Sequence, residues 1–311
     1  MLRLRTDGVR SSKVTVIANR AERPVCIHTS GEQAMTQVTA QAATQPAATA
    51  LAGSATMQGD LWSVRAADYA EVQEPTFLPL YDSVAARPEL AGAKALLDVG
   101  CGPGLAAQTL AKKIGRIAGV DAAASFIAIA QRRLPQADLR VCEMEALPHA
   151  DGAFDLVTGF NAFQYAARPV NALREARRVS KPGGHIVIAV WGLPEQCQAA
   201  GHLKALGALM PPPPPGAPGP FALSDEAKLK AFAAEAGLTP LNVIDVACPW
   251  IYPDLDTALK GMLSAGPAER AIRSSSSEKA RDAVAGAIAP YRTPSGGYHM
   301  DNVFRYLISR A

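Results

Sequence analysis

Short hydrophobic runs alternate with segments of helical periodicity between residues 95 and 191. The runs predict strands at Ala95–Val99, Arg116–Asp121, Asp138–Cys142, Phe154–Phe160 and His185–Trp191. The segments between them predict helices at Leu105–Ile114, Ser125–Leu134 and Val170–Val179, and "KPGG" supplies the residues that end the last one. Strands and helices that alternate at these lengths are typical of a parallel sheet. The pattern therefore predicts a doubly wound α/β half-domain.

The pattern is less regular after Trp191. Ser224 is predicted to cap a helix that runs to about Ala236. Leu241–Trp250 is predicted to form a strand, and Asn302–Arg310 is predicted to form the final strand. These elements extend the half-domain toward a complete sheet.

Two further segments interrupt this carboxyl-terminal region. Pro211–Pro220 is a proline-rich spacer that cannot form a helix or a central strand. Asp254–Pro290 carries two helical patterns that are separated at Gly266-Pro267. An insert at this position either covers a substrate pocket or only packs against the core, and the sequence leaves both possibilities open.

The amino-terminal region differs from the rest in composition. From Gln37 to Thr56 almost every residue is Ala, Thr, Gln, Gly or Ser, which cannot bury enough apolar area to offset the entropy of ordering. We therefore predict a disordered, dispensable tail over residues 1–56, with a targeting segment or a functional arm as alternatives. The folded domain is predicted to span residues 57–311, with its core at 95–191 and cap elements at 57–90 and 254–298.

Composition and charge exclude several classes of protein. The 311 residues are 49% hydrophobic, enough for one sizeable domain, and no apolar run is long enough to cross a membrane. Residues 1–56 hold six of the 31 Lys and Arg and three of the 28 Asp and Glu, so the remaining body is neutral. A neutral body argues against a nucleic-acid partner. The five cysteines lie far apart, which predicts neither a metal site nor a disulfide framework and favours the cytoplasm.

The glycine-rich stretch "LLDVGCGPG" follows the first predicted strand and precedes the first helix. Such a loop lets a ligand approach the backbone closely, and a dinucleotide is one possibility. Two residues argue against a diphosphate: Pro103 removes a backbone donor, and the Asp98 carboxylate would repel it. Asp121 ends the second strand, where a carboxylate can accept both hydroxyls of a ribose. A nucleoside with a cationic tail, as in S-adenosylmethionine, satisfies all these features.

Four successive motifs carry a family resemblance. "LLDVGCGPG", "GVDAAASFIAIAQ", "CEMEALPHADGAFDLV" and "ALREARRVSKPGGHIVIAVW" resemble, in this order and spacing, the motifs of class I S-adenosylmethionine-dependent methyltransferases. The similarity is greatest to the small-molecule group that includes the ubiquinone and menaquinone C-methyltransferases. It implies a Rossmann-like, mostly parallel seven-stranded sheet with an antiparallel last strand and a helical cap.

The resemblance also implies a set of cofactor-binding residues. The methionine half of S-adenosylmethionine would be lined by Asp98, Gly100, Cys101, Gly102 and Gly104, with Phe160 and Asn161 nearby. Asp121 would hold the ribose, Ala122 and Met144 would lie against the adenine, and Glu143 would accept from the adenine amino group. Tyr69, on the predicted amino-terminal helix, is either a cover over the cofactor or an ordinary core residue. Cys142-Glu143 departs from the Gly-Asp that the family often has.

Methyl transfer from a sulfonium needs alignment more than acid–base chemistry, which agrees with the absence of a clear catalytic dyad in the sequence. His299 is the candidate base, should the acceptor require one. The acceptor is predicted to be a small apolar or aromatic molecule under a cap made by the amino-terminal helix and the 254–290 insert. The aromatic candidates for its pocket are Trp62, Tyr69, Trp191, Trp250, Tyr252, Tyr291 and Tyr298. The alternatives are an NAD(P)-dependent oxidoreductase and a non-catalytic S-adenosylmethionine-binding module.

Overall fold

A central β-sheet organises the chain in the computed structural model, which describes residues 53–212 and 219–311. The strands are β1 (Ala95–Val99), β2 (Arg116–Asp121), β3 (Asp138–Val141), β4 (Phe154–Phe160), β5 (Ser180–Trp191), β6 (Thr239–Ala247), β7 (Trp250–Tyr252), β8 (Tyr298–Met300) and β9 (Val303–Arg310). Seven of them form one sheet in the order β3-β2-β1-β4-β5-β9-β6, and β7 pairs with β8 separately.

Helices flank both faces of this sheet and form the cap. They are α1 (Ala55–Ser63), α2 (Ala66–Asp68), α3 (Leu78–Ala85), α4 (Leu105–Ala111), α5 (Ala124–Arg133), α6 (Pro169–Val179), α7 (Ala200–Gly207), α8 (Glu226–Glu235), α9 (Leu255–Met262), α10 (Gly266–Ser274) and α11 (Ser277–Ile288). Within the two described ranges, none of them has the length and apolar character that a membrane span requires.

Strand directions confirm the predicted fold class. β1 pairs in parallel with β2 and β4, β2 with β3, and β4 with β5. β9 runs antiparallel to both of its neighbours, β5 and β6. The sheet is therefore the mostly parallel, seven-stranded sheet with one antiparallel strand at the end of the chain that the sequence predicted.

The central strands are buried on both faces, as parallel strands covered by helices must be. All five residues of β1 are buried, and successive side chains point to opposite faces. Leu96 belongs to the hydrophobic cluster that includes α3, α4 and the cap, whereas Leu97 belongs to the cluster under α6 and α8. The carboxyl end of β1 is thus held rigidly where the glycine loop begins.

Several predicted boundaries need correction. β5 begins at Ser180 rather than His185, because Gly183 (φ +77°) and the residue after it form an irregularity within the strand instead of ending it. The predicted strand Leu241–Trp250 is divided between two strands, because Pro249 cannot donate a hydrogen bond to a sheet. β6 ends at Ala247, and Trp250 begins β7.

The helical segments after β5 also differ from their prediction. Asp225, not Ser224, caps α8, and its carboxylate accepts from the Lys228 N–H at 2.9 Å. The insert holds three helices rather than two, because Ser276 starts α11 with its own side-chain cap. Residues 213–218 of the proline-rich spacer lie outside the described residues.

The amino-terminal segment and the insert pack against each other. The Tyr252 hydroxyl donates to Gln73 at 3.0 Å, and Lys260 of α9 pairs with Glu71 at 2.8 Å. At Gly266, a Cβ would lie 2.6 Å from the Trp62 indole nitrogen, so α10 packs closely on α1.

The amino-terminal boundary falls earlier than position 57. α1 begins at Ala55, and Ser54 and Ala55 are only 8% and 2% exposed. The tail prediction for residues 1–52 lies outside the described residues. The domain limits stay a prediction, which we now place at or before Gly53.

Candidate functional site

The glycine loop connects β1 to α4 at the carboxyl edge of the sheet. Gly100, Gly102 and Gly104 have φ angles of +70°, +54° and +91°, where any other residue would be strained. A Cβ on Gly100 would also lie 2.5 Å from the Cβ of Ala162. The Gly100 N–H donates to the Val120 carbonyl at 2.8 Å and so ties the loop to β2. The glycines therefore give the loop a conformation and a closeness to its neighbours that side chains would prevent.

Asp98 lies two residues before this loop and is 1% exposed. Its Oδ1 accepts from the Thr158 hydroxyl at 2.7 Å, while Oδ2 is buried without a partner among the described residues. Burial raises the pKa of Asp98 to about 7; the Thr158 hydrogen bond opposes this rise, and the nearby Asp121 and Glu74 carboxylates add to it. A buried carboxylate with one unused oxygen is suited to a cationic ligand group.

Asp121 joins the glycine loop to the end of β2. Its Oδ2 accepts from the Gly102 N–H and its Oδ1 from the Ala123 N–H, both at 2.8 Å. Burial raises the pKa of Asp121 to about 6, although these backbone hydrogen bonds lower it. Since each carboxylate oxygen has two lone pairs, one remains on each for a ligand hydroxyl. Asp121 thus shapes the loop as well as facing the cavity.

Glu143 meets the beginning of α1. Its Oε2 accepts from the Ala55 N–H at 2.9 Å, and its Oε1 accepts from the Glu145 N–H at 3.3 Å. A Cβ on Gly53 would lie 2.9 Å from the same Oε2. The carboxylate therefore holds the amino-terminal end of α1, a position that also suits the helix dipole.

Together these elements enclose a cavity of about 660 Å³, counting its open mouth. The lining residues are Ser54, Ala55, Gln58, Trp62, Tyr69, Gly100, Gly102, Asp121, Ala122, Phe126, Cys142, Glu143, Met144, Phe160, Asn161, Ala162 and Tyr165.

Four aromatic rings form one wall of the cavity. Trp62 contacts Tyr69 edge-on at a centroid distance of 5.6 Å and Tyr165 edge-on at 5.7 Å. Phe126 packs against Tyr69 at 5.2 Å. Tyr69 begins a π-helical turn, Tyr69–Gln73, a local irregularity that is frequent at functional sites.

Most of the residues predicted for the cofactor site line this cavity. They are Tyr69, Gly100, Gly102, Asp121, Ala122, Glu143, Met144, Phe160 and Asn161. Asn161 is unusual, because it is the one non-glycine residue with a positive φ (+50°) in the described ranges. Nine of the twelve candidate residues therefore lie at one cavity, and their role in cofactor binding stays a prediction.

Three predicted cofactor residues are not part of the cavity wall: Asp98, Cys101 and Gly104. Cys101 is 4% exposed and faces β2, since its Sγ would lie 3.0 Å from a Cβ on Gly119. Gly104 is the residue before α4, and a Cβ on it would lie 3.0 Å from that of Ala130. Both residues shape the loop from behind.

The predicted catalytic His299 is also outside the cavity. It lies on β8 with an exposed side chain, and its Nε2 is 3.0 Å from Asp301 Oδ1. Among the predicted pocket aromatics, Trp62 and Tyr69 line the cavity, and the other five lie elsewhere in the fold. The insert therefore supports the amino-terminal part of the cap but contributes none of the lining residues.

A family model described as a methyltransferase domain matches residues 97–188, the segment from β1 to β5 that carries the glycine loop, Asp121 and Glu143. This segment is a class I methyltransferase domain. Members of this family use S-adenosylmethionine as the methyl donor. The antiparallel β9 distinguishes the sheet of this chain from the parallel dinucleotide-binding sheet that the oxidoreductase alternative would have.

Curated relatives match only part of the chain. A ubiquinone biosynthesis O-methyltransferase of Xanthomonas oryzae pv. oryzae (strain PXO99A) is 34% identical over 132 residues, 41% of this chain and 54% of that protein. A demethylmenaquinone methyltransferase of Renibacterium salmoninarum is 33% identical over 99 residues, 32% of this chain and 42% of that protein. The chain spans about half or less of the length of these relatives.

Solved structures show the same fold at low identity. A proposed methyltransferase of Bacillus halodurans C-125 aligns with a TM-score of 0.50 and 15% identity, over 74% of this chain and 96% of that one. The YcgJ protein of Bacillus subtilis aligns with a TM-score of 0.50 and 17% identity, over 76% and 98%.

The sequence did not predict an ion pair that joins the amino-terminal segment of the cap to the glycine loop. Glu74 is 2% exposed, accepts from the Leu105 N–H at 3.0 Å, and pairs with Arg133. Arg133 also donates to the carbonyls of Pro103 and Ala70, each at 3.1 Å. Glu74 stands in the sequence as an ordinary surface acid, and only the folded chain brings it to Arg133.

Other lining residues were missed because they come from segments without a motif. Ser54 and Ala55 fall within the predicted tail, and Tyr165 follows β4 in a short turn. Phe126 lies on α5, where its helical spacing indicates only a core position. No local signal distinguishes these residues from ordinary packing.

Proposed function

We propose that this protein transfers a methyl group from S-adenosylmethionine to a small-molecule acceptor. The observation that carries the proposal is the convergence of the glycine loop, Asp121 and Glu143 on one cavity in a methyltransferase domain, with the unpaired Oδ2 of Asp98 close behind. The chain spans only part of its curated relatives, so the activity is argued from its own residues.

The side chains fit this cofactor at three points. The buried Oδ2 of Asp98 suits the ammonium group, and the free lone pairs of Asp121 suit the ribose hydroxyls. Glu143 and Met144 lie where the adenine would be held, and Gly102 leaves open space on the loop for the methionine part.

S-adenosylmethionine supplies a methyl group bound to a sulfonium sulfur, and in-line attack of a nucleophile on the methyl carbon releases S-adenosylhomocysteine. The contribution of the chain is to position the reactants and to exclude water, because no His, Lys or Arg side chain lines the cavity in the described part of the chain. His299 lies outside this cavity, and we no longer propose it as the base.

The relatives whose names refer to ubiquinone and menaquinone support an aromatic acceptor, methylated on oxygen or on carbon. The neutral body supports a small molecule rather than a nucleic acid as the partner. Four cysteines of the described residues are free thiols, which supports the cytoplasm as its location.

Incubation with labelled S-adenosylmethionine and a metabolite extract tests the activity. We expect label in the small-molecule fraction and stoichiometric S-adenosylhomocysteine, and calorimetry should show that the latter binds and NAD does not. Asp121→Asn should weaken this binding, whereas Asp256→Asn, an exposed carboxylate on α9, should not. Binding without turnover would identify a non-catalytic module, and binding of NAD alone would contradict the proposal.

A further inference from the structure

We propose that Gly266, the first residue of α10 in the insert, is a positioning residue for the cavity. Because it has no side chain, the Trp62 indole can lie back from the cavity and leave room for the ligand. The role assigned to Gly266 rests on the proposed function and adds to it a part for the insert, which contributes no residue to the cavity wall.

The backbone of Gly266 lies against one face of the Trp62 indole ring. A Cβ at Gly266 would lie 2.6, 2.7 and 2.9 Å from Nε1, Cε2 and Cδ1 of that ring. These three distances are nearly equal, so the Cβ would stand over the face of the ring and not beyond its edge. Real Cβ atoms essentially never approach other heavy atoms within 3.0 Å. Glycine is therefore the one residue that this position accepts while Trp62 keeps its place.

The other neighbours of Trp62 hold the ring on its remaining sides. Its Nε1 donates to Gln58 Oε1 at 3.2 Å. Tyr69 and Tyr165 contact the ring edge-on at 5.6 and 5.7 Å, and Phe126 contacts it at 6.1 Å. All five of these side chains line the cavity. The open space beside the indole is therefore the cavity itself.

Trp62 borders the part of the cavity that lies next to Asp121. Gly59 of the same helix closely approaches the carbonyl oxygen of Ala122, the residue after Asp121. Trp62 follows Gly59 by three residues, so the two lie on the same face of α1, about one helical turn apart. A ligand held by the Asp121 carboxylate therefore extends beside the Trp62 ring.

A side chain at position 266 would push the indole into this space. Ordinary contact begins at 3.4 Å, so a Cβ has to move Nε1 by about 0.8 Å. In the free protein this movement costs little, because the cavity is open on that side. A bound ligand competes with the displaced ring for the same volume, so the cost of overpacking appears in the Kd of the ligand. The width of the cavity thus depends on a residue that does not line it.

A second contact between α10 and α1 offers a matched control. Arg273 of α10 pairs with Asp60 of α1, and both side chains are exposed. Arg273 follows Gly266 by seven residues, about two helical turns, and so lies on the same face of α10. Exposed ion pairs contribute little to stability. Arg273→Ala therefore loosens the same pair of helices without changing the space around Trp62.

Calorimetric titration of the full-length chain with S-adenosylhomocysteine tests the contact. Gly266→Ala should raise the Kd by about fivefold or more, whereas Arg273→Ala should leave it within about twofold. An equal loss of affinity in Arg273→Ala would show that loosening of the two helices, and not the position of the ring, controls the cavity, and would overturn the proposal.

A double-mutant cycle with Trp62→Leu tests whether Gly266 acts through the ring. Trp62→Leu removes Nε1 and Cε2, the two atoms nearest to the added Cβ. In that background Gly266→Ala should change the Kd by less than about twofold.

The same cycle separates the contact from a backbone effect. Gly266 precedes Pro267, and a residue with a Cβ is disfavoured in a helical conformation before proline. Such strain would lower the Tm of Gly266→Ala whichever residue stands at position 62. A loss of affinity that persists in full in the Trp62→Leu background would assign the effect to the backbone and refute the positioning of the ring.

The two proposals fail on different results. If the natural chain does not bind S-adenosylhomocysteine, the proposed function fails, and the role of Gly266 fails with it. If the natural chain binds this ligand and Gly266→Ala binds it equally well, only the role of Gly266 is refuted and the methyltransferase function stands.

Discussion

Substitution of Gly59 by alanine should displace α1, which covers the end of the cavity formed by Ala122 and Glu143. Gly59 is on α1, and a Cβ there would lie 2.3 Å from the Ala122 carbonyl oxygen and 3.0 Å from its carbon. Ordinary contact begins at 3.4 Å, so α1 has to move by about 1.1 Å. The obstacle is backbone, which cannot rotate away as a side chain can.

This displacement has a calculable cost. Overpacking of this kind costs about 1–3 kcal/mol, and loss of the Ala55–Glu143 hydrogen bond adds about 1.5–3 kcal/mol because the acceptor is charged. The higher helix propensity of alanine stabilises α1 by roughly 0.5–1 kcal/mol and offsets part of this loss. The net loss of about 1.5–5.5 kcal/mol should lower the Tm by several degrees and weaken S-adenosylhomocysteine binding by about tenfold or more.

Gly286→Ala is the matched control, since Gly286 lies within α11 and a Cβ there meets nothing within 4 Å. It should leave the Kd unchanged and raise the Tm slightly. Calorimetric titration and thermal unfolding of both variants provide the comparison. If Gly59→Ala bound the ligand within twofold of the natural chain and melted at the same temperature, the close contact of α1 with Ala122 would be refuted.

Three further predictions follow from the same contacts. We expect S-adenosylhomocysteine to bind the natural chain more weakly as pH falls below about 7, because only the ionised Asp98 carboxylate attracts an ammonium group. Asp98→Asn should abolish this pH dependence. Because burial raises the pKa of Asp98, the stability that this group contributes is present below about pH 4 and is lost as pH rises through about 7. Asp98→Asn should therefore have a higher Tm than the natural chain at pH 8. An equal dependence of Tm on pH in both proteins would contradict this. Arg133→Ala should cost roughly 3–5 kcal/mol in urea unfolding, because its buried carboxylate partner is left unpaired, and a loss below 1 kcal/mol would show that this ion pair is dispensable. A chain that begins at Met57 should bind S-adenosylhomocysteine more weakly than one that begins at Gly53, and identical Kd values would restore the later boundary.

The sequence by itself determined the sheet and the floor of the site. Short apolar runs such as Ala95–Val99, interrupted only by Asp98, are typical of strands that are buried on both faces, and the helices between them make the connections parallel. The positive φ angles of the glycine loop follow from its glycines, and Asp98 and Asp121 end adjacent strands at the same edge. Local pattern is sufficient here because each residue takes its position from its own strand.

Tertiary structure alone decided the cover of the cavity and the electrostatics beneath it. Glu143 meets Ala55 across 88 positions of the chain, and Arg133 meets Glu74 across 59, so no local pattern connects them. Tyr69 and Tyr165 are far apart in the chain, and only the fold brings both rings against Trp62. His299 was favoured by its residue type and its place near strand ends, and packing turned it toward solvent. Such pairings depend on how α1 and the insert pack on the sheet, and that arrangement is set by contacts summed over the whole fold.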